Sequence, residues 1–143
     1  MRNVLFLTVI VFFMLCVSAL ASGLQTVSDV EKSTEAALKL VKNGQIDEFV
    51  ETFKPIWKMP EKEINEAKEK LVNQKKQAGE RYGKTLDIQY VKTEVVADTL
   101  IKIDYVQKFE NNAMRWTFYY YKPATEWYLN TFFWDPQINL LFK

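Results

Sequence analysis

Histidine is absent from all 143 residues, and cysteine occurs once, at Cys16. Cys16 lies in an N-terminal apolar run that reads as a leader, so the chain left after its removal has neither residue. That excludes a His-based triad, a thiol nucleophile, a disulfide and structural zinc of the Cys/His kind. Glycine is scarce too: Gly23, Gly44, Gly79 and Gly83 are the whole supply, too scattered for a Gly-rich phosphate loop. No Asp-x-Asp calcium loop and no Asn-x-Ser/Thr glycosylation acceptor occurs. Net charge is lacking as well. Losing Arg2 with the leader leaves 18 basic and 18 acidic residues, which argues against nucleic acid or an anionic membrane surface as the main partner. From these absences we expect no cofactor, no bound metal and no covalent catalysis.

What is present begins with an export pattern. Met1-Arg2-Asn3 carries positive charge, Val4 to Val17 is an almost unbroken apolar run, and Ser18-Ala19-Leu20-Ala21 places small residues before a cut at Ser22. The run is short for a bilayer span, which takes about 20 apolar residues. The residues before Cys16, Phe13-Met14-Leu15, lack the small neighbour a lipidated cysteine needs. Residues 1–21 therefore read as a signal peptide, with no stable membrane insertion after cleavage. Residues 22–143 read as one exported domain, and a Cys-free, sequon-free chain suits a bacterial periplasm or secretion.

The first half of that domain has helical periodicity. Val27, Val30, Thr34, Ala37, Leu38 and Val41 share one face, with Ser28 or Asp29 as the expected cap and Asn43-Gly44 as the stop. Ile46, Phe49, Val50 and Phe53 form a second, shorter face, ended by Pro55. Met59-Pro60 opens a third helix striped by Ile64, Ala67, Leu71, Ala78 and Tyr82; its interspersed charges read as a solvated face.

The second half is β. It packs 12 aromatics into residues 105–134, and strands are expected at about 85–96, 99–110, 113–122 and 127–134. Turns at Ala97-Asp98 and Asn111-Asn112 fix the register, because Asn tolerates positive φ. With regular pairing, Tyr105 faces Phe118, Tyr90 faces Tyr105, Leu86 faces Phe109 and Tyr120 faces Leu129. The inner face would then hold Leu86, Ile88, Tyr90, Ile101, Ile103, Tyr105, Phe109, Met114, Trp116, Phe118, Tyr120, Leu129 and Phe133, with Glu94 as its one carboxylate. One pair is unfavourable in that register: Lys108 lies opposite Arg115.

Helices first, then an aromatic antiparallel meander, resembles the nuclear-transport-factor-2-like superfamily, which includes ketosteroid-isomerase-like proteins. The residues carrying the likeness are Ala36 to Gln45 with Phe49, then Arg81-Tyr82-Gly83, Trp116-Thr117-Phe118, and Glu126 to Phe133. The resemblance implies an α+β fold: N-terminal helices on a curved antiparallel sheet of four or more strands, cone-like, with a pocket between the layers. It does not fix a function, since one such fold hosts enzymes, binders and structural modules.

Two groups of candidate residues follow. Tyr90, Tyr105, Gln107, Trp116 and Tyr120 on the inner face could line a pocket for a small apolar ligand, or simply fill the core. Tyr119, Tyr121, Tyr128, Phe132 and Trp134 on the outer face form an apolar stripe that suits an interface, with Arg115 stacking on Trp134. The stripe points to a homodimer or an envelope-protein partner; the rival covering is the C-terminal tail, 136–143. A pocket enzyme is the alternative, with Glu94 as base beside a tyrosine, and a structural subunit of an envelope complex is another. No substrate is named by any motif.

The leader reading has a direct outcome. The exported protein should begin at Ser22 and stay in solution, as intact-mass analysis would show; a membrane-retained species of full mass would reject it.

Overall fold

The structure is a computed structural model that describes residues 23–143, so the expected signal peptide and the expected cut before Ser22 lie outside the described residues. Three helices pack on one four-stranded antiparallel sheet that is curved and unclosed, an α+β architecture. The helices are α1 (Val27–Lys42), α2 (Ile46–Phe53) and α3 (Glu61–Tyr82), with a 3₁₀ turn at Lys54–Ile56. The strands are β1 (Thr85–Val96), β2 (Leu100–Phe109), β3 (Ala113–Tyr121) and β4 (Tyr128–Asp135), in the same order in space as in the chain. A last 3₁₀ segment spans Ile138–Phe142.

Helix boundaries follow capping chemistry. α1 is opened by Thr26, not by Ser28 or Asp29. Thr26 Oγ1 accepts from the Asp29 amide at 3.0 Å and Asp29 Oδ2 accepts from the Thr26 amide at 2.9 Å, a capping box in which Asp29 is the reciprocal partner. Gly44 lies just past the end of α1 at φ +83°, and Gly83 follows α3 at φ +84°. α2 buries Ile46, Phe49, Val50 and Phe53. α3 buries only Ile64, Leu71 and Ala78, one residue in seven, so most of its surface stays in water.

The sheet departs from regular alternation at three bulges, which bend and twist a sheet locally. The β1–β2 reversal uses Ala97 and Asp98 at φ +52° and +48°, with the Thr99 amide donating to the Val96 carbonyl at 3.0 Å. β2 and β3 are joined over Phe109–Asn112, and the Phe109 amide donates to the Asn112 carbonyl at 2.9 Å. This longer reversal moves the register by two. Tyr105 lies opposite Trp116 instead of Phe118, and Lys108 meets Ala113 instead of Arg115. A slip of two keeps every side chain on its face, so the inner face survives and the like-charge pair is avoided.

The core is aromatic. Phe49 enters from α2 and meets Phe53, Trp116 and Phe132 at ring-centroid distances of 5.2, 5.5 and 5.6 Å. On the sheet, Trp116 stacks against Trp134 at 5.1 Å and Phe118 at 5.8 Å. Truncating a buried phenylalanine removes its apolar burial and leaves a cavity. Phe49→Ala should therefore cost about 3–5 kcal/mol in urea unfolding, whereas Phe142→Ala, at an exposed position, should stay within about 0.5 kcal/mol.

Candidate functional site

The five inner-face candidates separate into two environments. Trp116, Tyr120 and Gln107 are buried, and their polar ends meet protein partners. Trp116 Nε1 donates to Gln107 Oε1 at 2.8 Å, and Gln107 Nε2 donates to Thr85 Oγ1 at 2.8 Å. Thr34 Oγ1 donates to the Val30 carbonyl at 2.7 Å, which leaves it to accept from the Tyr120 hydroxyl, also at 2.7 Å. These three side chains are satisfied core, because each buried donor has found an acceptor.

Tyr90 and Tyr105 are different. Together with Ile88 of β1 and Glu31 and Glu35 of α1 they line an open recess of about 460 Å³. Their rings meet edge to face at 5.7 Å. Tyr90 is 55% exposed and Tyr105 only 4%. The Tyr90 hydroxyl donates to Thr93 Oγ1 at 3.0 Å, and Thr93 Oγ1 donates to Glu31 Oε1 at 2.7 Å. That relay ties α1 to β1 and fixes the Glu31 carboxylate over the recess. The Tyr105 hydroxyl, which opens on the recess, has no side-chain hydrogen-bond partner among the described residues. Burial pushes its pKa up, and the Glu35 and Glu31 charges push in the same direction. Glu31 and Glu35 were missed in the sequence because they flank the apolar stripe of α1 one position off its buried residues Val30 and Thr34.

Glu94 does not belong to this recess. The bulge between Tyr90 and Lys92 adds a residue to β1 and reverses which side chains face inward beyond it. Glu94 therefore pairs with Lys102 on the outer face. Its carboxylate lies 3.1 Å from Lys102 Nζ and 3.4 Å from Lys92 Nζ, and hydrogen bonds from those lysines, Lys102 foremost, hold its pKa below the ordinary value. The inner face loses its expected pocket base, and the bulge at Leu86 likewise turns Leu86 away from Phe109, which pairs with Thr85.

The outer stripe is also rearranged. Asn130 is the extra residue of a β4 bulge, so Phe132 and Trp134 point inward and Phe133 points outward. Trp134 is buried, and Phe132 packs against the core. Arg115 consequently faces Asp135, and the two form a bidentate pair at 2.8 and 2.9 Å in place of a stack on Trp134. Beside them Thr117 donates to buried Asp104 at 2.6 Å, and Lys102 lies 3.0 Å from the other Asp104 oxygen. The C-terminal tail crosses this polar part of the face: the Ile138–Phe142 segment packs on β3, and Lys92 Nζ donates to the Lys143 carbonyl.

Tyr119, Tyr121 and Tyr128 keep their outward positions. At the far end of the sheet one outward residue from each strand lines up in a row: Val96, Leu100, Tyr121 and Tyr128. Val96, Leu100 and Tyr121 are 59, 44 and 43% exposed. Around the β4 edge, Tyr121 and Tyr128 join Trp57, Met59 and Leu129 in a groove of about 500 Å³, where Lys58 Nζ sits 4.4 Å above the Tyr128 ring.

Among the described residues no group of three or more acidic side chains is placed to hold a metal ion, and no helix is long and apolar enough to cross a membrane. Comparison with protein-family models, with curated proteins and with solved structures found no match.

Burial of Tyr105 and Tyr120 has a measurable consequence. Burial raises the pKa of both, so both favour the neutral form in the folded state. The stability this gives is complete below the free-tyrosine value of about 10 and is lost as pH rises above it. In an absorbance titration, Tyr105→Phe and Tyr120→Phe should leave unchanged the phenolate signal that develops before alkaline unfolding. A smaller signal in either variant would mean that its hydroxyl ionises in the folded protein.

Proposed function

We propose that the chain is an exported, non-catalytic interaction domain of the nuclear-transport-factor-2-like kind, and that it pairs with a second copy of itself through the outer face of its sheet. The observation that carries this reading is the row Val96, Leu100, Tyr121 and Tyr128, which crosses all four strands and whose first three members stand well exposed. The polar part of the same face has the tail over it and charges that neutralise each other locally. The row has neither. Contiguous apolar surface of this sort marks interfaces. Its burial yields roughly 25 cal/mol per Å² before association costs, and a two-fold axis is the commonest way to cover a self-complementary patch.

Sedimentation velocity tests the reading. The mature protein should be a dimer at tens of micromolar, and Tyr121→Glu should shift it to monomer without lowering its unfolding temperature. The new carboxylate would have to be desolvated in the interface but stays hydrated in the monomer. A wild-type chain that remains monomeric at that concentration defeats the proposal and leaves the tail as the only cover for the outer face.

A further inference from the structure

We propose that the recess between α1 and β1 is a binding site for a small organic ammonium ion, held by the carboxylates of Glu31 and Glu35 and the hydroxyl of Tyr105, with its carbon skeleton against Tyr90 and Ile88. Three features point to that chemistry. The recess carries two negative charges and no cation of its own lining. Lys39 reaches Glu35 at 2.9 Å, but from the solvent side, where both side chains are largely exposed. Such exposed pairs hold weakly and exchange readily.

The second feature is the count of acceptors. Thr93 occupies one oxygen of Glu31, and Lys39 approaches one oxygen of Glu35. That leaves one free oxygen on each carboxylate, and the Tyr105 hydroxyl oxygen as a third acceptor. A primary ammonium has three N–H donors and no acceptor, a match in number and in charge.

The third feature is the unpartnered hydroxyl itself. Tyr105 is 4% exposed, lines the recess and makes no side-chain hydrogen bond among the described residues. The ring is held in the core while the hydroxyl opens on the recess, where it is free to hydrogen-bond what enters. The two tyrosine rings add aromatic faces that attract a cation already stripped of part of its water. A volume of about 460 Å³ suits a short-chain amine, being within the usual range of small-molecule sites.

The probe is n-butylammonium, with n-butanol as its neutral counterpart and tetramethylammonium as a cation that cannot donate. Titration of the mature protein is followed by backbone-amide NMR shifts at Ile88, Tyr90, Thr93 and Tyr105. Butylammonium should give saturable shifts confined to the recess. Tetramethylammonium should bind more weakly and butanol should not saturate. Glu31→Gln and Glu35→Gln should each weaken butylammonium roughly tenfold, the usual scale for losing a charge-assisted hydrogen bond. Tyr105→Phe keeps the core ring and should weaken it by a smaller factor. Unchanged unfolding temperatures keep these losses separate from misfolding. Equal affinities for butylammonium and butanol, or wild-type affinity in both glutamine variants, would overturn the proposal. Tyr121→Glu lies on the opposite face of the sheet and should bind the amine as wild type does, so this result and the dimer result stand or fall separately.

Discussion

The closure of the helical layer onto the sheet turns on one ring. Phe49 projects from a helix of only eight residues and meets a floor made by Trp116, Phe118 and Phe132. Short helices have little stability of their own, so α2 owes its place to this contact. Through α2 the contact also places α1 and α3, both of which pack on it. The same contact fills much of the space between the helices and the sheet. Phe49, Phe53, Trp116 and Phe118 pack together there, and the hydrogen bonds of Trp116, Gln107 and Tyr120 close their polar ends. The open features lie at the margins: the α1–β1 recess on one side and the exposed row of the sheet's outer face on the other.

The helices were legible in the sequence almost to the residue. Their stripes repeat at three and four, and Pro and Gly mark their limits. The strands were legible as elements and, in the middle of β2 and β3, as faces, because a two-residue slip does not change which way a side chain points. What could not be read were the bulges. An extra residue in a strand leaves no mark where both alternating sets are of like character. Phe132, Phe133 and Trp134 are aromatic on both parities, so Asn130 could turn the whole set over without disturbing any pattern. The stretch Thr93-Glu94-Val95-Val96 is ambiguous in the same way, and Glu94 went to the wrong face for that reason. Glu31 and Glu35 looked like the solvated edge of a helix. Only the neighbouring strand makes them walls of a recess.

The outer face shows how charge is managed on a surface half covered by chain. Asp104 is buried there, and an isolated buried carboxylate would be costly. It is instead bracketed by Thr117 and Lys102, while Arg115 and Asp135 neutralise each other alongside. A partially buried ion pair of this kind adds little net stability but fixes geometry. Here it holds the end of β4 and the start of the tail, since Asp135 also accepts from the Gln137 amide at 2.8 Å.

The spatial order of the strands is their order in the chain, and this bears on how the fold is reached. Each strand pairing closes a loop of only a few residues, so the entropy spent before a contact forms is small. Topologies dominated by such local pairings assemble faster than those requiring distant segments to meet, and they expose unpaired edges for less time. Two β-bridges break the pattern of local strand pairing. Leu24 bridges Trp127, and Trp57 bridges Leu129, each joining the N-terminal half to the outer edge of β4 across some seventy residues or more. The meander can therefore form by successive local steps, and the long closures that bring the chain's beginning to the edge of β4 gain their reward only once that edge exists.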